Sequence, residues 1–285
     1  MITPINPNHA VNRFGNYMMS LIITVMRANE ARCNVVVRWF EGIDLMALNS
    51  TIHVVTASEP FPKGTEPRYT TTSAFDHENW KLLGLPGSDY LSMAENFQNL
   101  ALAARSCLSP KKEFPPIRLL EAHTLMLLFL RLGSGPDTIQ TRMEYPAKFA
   151  VMESDDISVP VTLFTKTILE ELALHRQEEK VQIHICSDSA ASTIAQTYFS
   201  KAFCHHPNVT FTVGEETAPD KAILRDIFGG KGKVRVIFSL DSDFANLAAL
   251  ASASTLERWY RPLPDGRNEK NLLKADFSRM EAVRC

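Results

Sequence analysis

The sequence predicts an α/β protein with two lobes, each built on a largely parallel sheet. Three observations predict it. In the second half, short apolar runs alternate with helical segments, the rhythm of strands linked by crossover helices. In the first half, an apolar helix feeds a Val-rich strand within a few residues. Between the halves the chain is broken by prolines, from Ser109-Pro110 to Pro115-Pro116. That break sets an N-terminal lobe of residues 1–115 and a C-terminal lobe of residues 116–285.

The elements follow in order. Residues 14–31 read as a helix with Gly15 and Asn16 at its start. Tyr17, Ser20, Thr24, Arg27 and Ala31 recur at three- and four-residue steps as a mildly polar stripe. The other faces are Met, Leu, Ile and Val, so most of this helix is expected to be buried. Residues 34–39, with Val35-Val36-Val37, read as a strand. Residues 56–90 are rich in Pro, Thr, Ser, Gly and Asp and read as loop. Residues 91–107 form a second helix on Phe97, Leu100, Ala101 and Ala104. In the C-terminal lobe, residues 125–130 are a continuous apolar run, as in a strand covered on both faces. Helices are expected at 161–176, 190–203, 218–228 and 244–256, and strands at 181–186, 209–213 and 234–240. Strands so spaced form a mostly parallel sheet with right-handed crossovers.

Composition narrows the function classes. The 285 residues are 45% apolar, ample for a buried core. Thirty basic against thirty-two acidic residues leave a net charge of −2, which argues against a bulk nucleic-acid binder. No apolar run approaches the roughly 18 residues of a membrane span, and the first residues carry no secretory pattern. The five cysteines are scattered without a C-x-x-C pair, so neither a disulfide framework nor a structural zinc motif is expected. The expected compartment is the cytoplasm.

In open parallel sheets, ligands bind outside the carboxyl ends of the strands, and that rule singles out three places. The first is Arg131 with Gly133 and Gly135, after the apolar strand. A guanidinium forks onto phosphate oxygens, and glycines let backbone approach a ligand. A sheet-edge ion pair beside an ordinary turn explains the same residues. The second is Ser187-Asp188-Ser189, where a strand runs into a helix start. Such a start offers free N–H groups to an anion, and Asp188 could accept bonds from a base or ribose; helix capping is the competing role. The third is Asp241-Ser242-Asp243, two carboxylates that would suit a divalent cation on a diphosphate or would cap the next helix.

Other features are set aside. His205-His206 has no third ligand at metal spacing, and Asp155-Asp156 reads as a turn. Gly229-Gly230-Lys231-Gly232-Lys233 lacks the order of a phosphate loop and precedes a strand, so it reads as a connection.

Several segments together resemble the GDP-fucose-dependent fucosyltransferases, a superfamily that includes α1,6-, nodulation-type and protein O-fucosyltransferases. Arg13-Phe14-Gly15-Asn16, Ser20-Leu21 and Val35 to Trp39 resemble the family's opening turn, helix and strand. Phe129-Leu130-Arg131-Leu132-Gly133-Ser134-Gly135 resembles its His-x-Arg-x-Gly segment, with Phe129 in place of the His. Ser187-Asp188-Ser189 is similar to its Thr-Asp-Ser motif, and Asp243 to Ala253 to the helix before its last motif. The closing motif has no clear counterpart after Leu256. The resemblance implies a GT-B architecture of two Rossmann-like lobes and an inverting, metal-independent transfer of fucose, or a related sugar, from a GDP-sugar to a glycan. It implies no cofactor beyond the donor. It places Arg131 on the β-phosphate, Gly15 and Asn16 facing the diphosphate, and Asp188 and Ser189 near the guanosine, with Gly133, Gly135 and Ser187 also counted as donor-binding. Two alternatives stay open: a metal-dependent transferase using Asp241 and Asp243, and a non-catalytic nucleotide- or glycan-binding relative.

Overall fold

The structure is a computed structural model, and it describes residues 1–5, 14–56, 58–69, 90–130, 150–154, 157–187, 189–239, 243–261 and 273–276. The chain divides into two compact units. The first holds Met1–Glu113 and Asn246–Ala253, and the second Phe114–Ala245 and Ser254–Cys285. No helix among the described residues is long and apolar enough to cross a membrane.

The first unit carries β1 (Ile2–Ile5), α1 (Phe14–Ala31), β2 (Val35–Arg38), β3 (Ile52–Val55), β4 (Glu66–Tyr69) and α2 (Tyr90–Ala104). Its four strands are all parallel, in the order β3-β2-β1-β4. The helix expected at 14–31 forms at those residues and packs on β1, β2 and α2. The polar stripe read in it is not a solvent face: Ser20 and Thr24 are buried with Met18, Ile22 and Met26. Thr24 Oγ1 donates to the Ser20 carbonyl at 2.8 Å, which satisfies the hydroxyl inside the core. The helix ends where Arg32 turns left-handed, φ 50°. Cys33 N–H then bonds the Ala28 carbonyl at 3.0 Å and Arg32 N–H that of Asn29 at 3.3 Å, the paired bonds of a Schellman ending. Part of the 56–90 segment read as loop is in fact strand, since β4 pairs in register with β1.

The second unit carries β5 (His123–Phe129), β6 (Ala150–Ser154), β7 (Ile157–Pro160), α3 (Val161–Leu172), β8 (Lys180–Cys186), α4 (Ser189–Ala202), β9 (Val209–Val213), α5 (Pro219–Phe228) and β10 (Val234–Phe238). Then come α6 (Asp243–Ala251), whose end belongs to the first unit, β11 (Arg258–Arg261) and β12 (Leu273–Asp276). The main sheet has the order β12-β11-β10-β5-β8-β9, parallel throughout except for the antiparallel edge strand β12. Among the described residues, β6 and β7 pair only with each other. In β5, Met126 and Leu128 belong to a core with Phe164, Phe199 and Phe238. Leu125, Leu127 and Phe129 point to the other face and are buried too. Burial on both faces is why this strand reads as an unbroken apolar run.

Counted in chain order, the main sheet reads 3-2-1-4-5-6 from β9, and the first sheet reads 3-2-1-4. These are the orders of doubly wound nucleotide-binding sheets, in which the crevice opens where the winding reverses. In the second unit that point lies between β5 and β10; in the first it lies between β1 and β4.

Candidate functional site

The three places singled out in the sequence follow β5, β8 and β10, which are neighbours in the sheet in the order β10-β5-β8. Being parallel, they deliver their following segments to one edge. At that edge Leu130 N–H bonds the Cys186 carbonyl at 3.0 Å, so the first two exits lie side by side. Arg131, Gly133 and Gly135 continue directly from Leu130 in sequence but lie outside the described residues, as do Asp188, Asp241 and the Asp155-Asp156 pair.

The described members are placed as follows. Ser187 follows β8, and its carbonyl accepts from Ser192 Oγ at 3.0 Å. Its own hydroxyl is buried without a hydrogen-bond partner among the described residues. Among the described residues it caps no helix N–H. Ser189 is the first residue of α4. Asp243 opens α6, where a carboxylate complements the positive helix end. Gly15 is buried in the first turn of α1, with Asn16 beside it, in the helix that follows β1 at the first unit's reversal point.

The amino edge of the main sheet is occupied by a charged network. Glu171, at the end of α3, is fully buried and accepts from Arg258 Nε at 2.8 and 2.9 Å, from Tyr260 Oη at 2.6 Å and from His175 Nε2 at 2.8 Å. The other His175 nitrogen meets Glu179 at 3.0 Å, and Glu179 accepts from Thr124 Oγ1 at 2.6 Å. Burial alone would raise the Glu171 carboxyl, but these hydrogen bonds outweigh it and hold it below its ordinary value. The Glu171 hydrogen bond lifts His175 above its ordinary value despite burial, and Glu179 adds to it. The network thus joins α3 and the segment after it to β5 and β11, on the side of the sheet opposite the three strand exits, which makes it a fastening. The Gly229 to Lys233 segment also lies on that side, between α5 and β10. Gly232 has φ 76°, and Gly229 accepts from Ile117 N–H at 3.1 Å. It is a connection, as its sequence predicts.

A second buried cluster was not legible in the sequence. His184 and Cys186 project from one face of β8, alternating with the core residues Ile183 and Ile185. Arg225 and Asp226 of α5 meet them. Arg225 Nε donates to Asp226 Oδ1 at 3.1 Å and its NH1 to the Glu215 carbonyl at 2.6 Å. Gly214 makes room, since a Cβ there would lie 2.0 Å from Arg225 Cζ. Burial, with the Arg225 charge, pushes His184 down to about 4, so its imidazole is neutral. Burial, with Asp226 nearby, pushes the Cys186 thiol well up.

In the first unit, Trp39 follows β2 and is 48% exposed. Its Nε1 donates to Asp44 Oδ2 at 3.0 Å, which fixes the indole plane. Arg38 lies 4.6 Å over the Phe61 ring, held by the carbonyls of Thr56 and Glu59. The sequence showed Trp39 only as the end of a strand. Its exposure depends on the three-residue helical turn Ile43–Leu45 that brings Asp44 back.

No family model matches the chain, and no curated protein matches it.

Proposed function

We propose that the chain is a GT-B-type glycosyltransferase that moves fucose, or a related sugar, from a GDP-sugar to a glycan acceptor. The observation that carries this reading is the juxtaposition of three strand exits, β10, β5 and β8, at the reversal point of a 3-2-1-4-5-6 sheet. The segment after the first strand brings Arg131, Gly133 and Gly135, the donors and open backbone that a diphosphate requires. The segment after the second brings Ser187, Asp188 and Ser189, in the place where doubly wound proteins meet a ribose. Ser187 supports this with a buried hydroxyl still without a partner among the described residues. The first unit takes the acceptor: Trp39 offers a flat apolar face to a sugar ring, with the Asp44 carboxylate on its indole N–H and Glu41 two residues further along the chain.

In the reaction, the bond between the anomeric carbon and the β-phosphate oxygen breaks and the diphosphate leaves with its electron pair. An acceptor hydroxyl attacks the opposite face of the anomeric carbon, inverting it, and its O–H bond breaks with the proton passing to solvent. Arg131 stabilises the charge that develops on the departing phosphate, with no metal required.

A thermal-shift panel of GDP, UDP, CDP and dTDP tests the donor. GDP is expected to stabilise selectively, by about 2.7 kcal/mol at one hundred times its dissociation constant. Stabilisation by UDP and not GDP overturns the donor assignment. Arg131→Ala is expected to abolish turnover while leaving the melting profile in place; unchanged turnover refutes the role of that residue. Activity lost to EDTA and restored by Mn²⁺ moves the chemistry to Asp241 and Asp243. Nucleotide binding without transfer reassigns the chain as a binding relative.

A further inference from the structure

We propose that His184, Cys186 and Asp226 form a binding site for a transition-metal dication of the Zn²⁺ class, which ties α5 to β8. One ligand atom from each residue lies within 4.8 Å of the other two. Tetrahedral ligands at roughly 2.0–2.3 Å from an ion stand about 3.3–3.8 Å apart. Small side-chain rotations therefore suffice to close the set.

An independent observation points the same way. His184 is 3% exposed, and its two ring nitrogens differ. Nδ1 lies 3.1 Å from Thr212 Oγ1, which is itself fixed by Gln182 Nε2 at 3.0 Å. Nε2 is buried with no hydrogen-bond partner among the described residues. A buried imidazole nitrogen left so costs free energy unless something fills the place. An N–H at Nδ1 held by a hydroxyl and a lone pair at Nε2 is the arrangement that orients a metal-ligating histidine.

The donor set selects the metal. Imidazole nitrogen with thiolate sulfur favours Zn²⁺ and its borderline neighbours over Mg²⁺ or Ca²⁺. On binding, the Cys186 S–H bond breaks, the sulfur keeps the electron pair and bonds the metal, and one proton leaves per ion. Asp226 keeps Oδ1 on Arg225 and gives the ion carboxylate charge. Three protein ligands leave a fourth position for water. Cys186 directly precedes Ser187 of the donor segment proposed above, but the metal set is made by side chains of β8 and α5 and does not depend on the donor reading. The cysteine spacing gave no sign of it, because Asp226 comes from a helix forty positions away in the chain.

The test uses the full-length protein, treated with chelator and titrated with Co²⁺. One Co²⁺ per chain is expected, with the visible bands of a tetrahedral ion and a thiolate-to-cobalt charge-transfer band in the near ultraviolet. Cys186→Ser is expected to remove that band, whereas Cys33→Ser and Cys204→Ser are expected to keep it. Thr212→Val, which leaves all three ligands in place, is expected to weaken binding about 10–100-fold. Sub-stoichiometric binding, or a spectrum without the charge-transfer band, overturns the proposal on the wild-type chain alone, even if Cys186→Ser does not fold. A band that survives Cys186→Ser overturns it as well.

Discussion

Glu171→Gln is the sharpest test of how the second unit is held together. Glu171 has no solvent contact and takes donors from Arg258, Tyr260 and His175. Glutamine keeps the shape but loses one acceptor oxygen, and its amide N–H groups then face donors. Arg258, partly buried, keeps Glu257 at 3.6 Å but loses the charge of the buried carboxylate. Removing one partner of a buried ion pair costs about 3–5 kcal/mol. For a unit of this size that corresponds to a fall of roughly 6–20 °C in melting temperature. Urea unfolding followed by near-ultraviolet circular dichroism at pH 7 measures it. The carboxyl is held below 4.5, so its contribution is complete above that pH and is lost as pH falls through the folded value. The difference between wild type and variant must therefore shrink in acid. A loss under about 1 kcal/mol at neutral pH, or one that does not shrink in acid, refutes the account of Glu171 as a buried, compensated charge.

Three further outcomes are expected. His184 is held down at about 4 against an ordinary 6.5, so the unfolded chain takes up a proton between those values and stability falls by ~3 kcal/mol as pH drops through them. In His184→Met the urea midpoint is expected to lose that slope; parallel pH profiles would contradict it. His175 is raised, so its contribution is complete below 6.5 and is lost as pH rises above it; His175→Gln is expected to flatten that limb. Gly229→Ala puts a Cβ 2.5 Å from the Arg225 carbonyl and 2.9 Å from Ile117 Cγ1, and is expected to destabilise by about 1–3 kcal/mol in denaturant titrations. An unchanged midpoint there would mean that the α5 end yields easily.

Much of the parallel sheet was legible because burial leaves plain marks. β5 and β10 read as apolar runs and β8 as a strand, and α1 forms at the residues its apolar content indicated. What escaped was short or polar. β1 and β4 each contain a proline, Pro4 and Pro67, and β4 also carries Glu66 and Arg68. Their strand character comes from parallel pairing across more than sixty residues, which local propensity does not register. β11 begins with Arg258, whose place is set by Glu171 and not by any apolar pattern. Ser20 and Thr24 stood out in sequence as a mildly polar stripe, yet both are buried, and Thr24 is satisfied there by a backbone carbonyl. The three candidate loops were found from the strand-exit rule alone. The His184 cluster was not, since β8 shows only an alternating strand until α5 packs against it.

The two edges of the main sheet divide the labour between them. Fastenings that span α3, β5 and β11 are concentrated at one edge, and the strand exits proposed to meet a ligand lie at the other. Substitutions in the exits leave the fastenings untouched, so the segments after β5, β8 and β10 have room to diversify toward new ligands without loosening the scaffold. A fold so arranged can drift in what it recognises long before it drifts in shape.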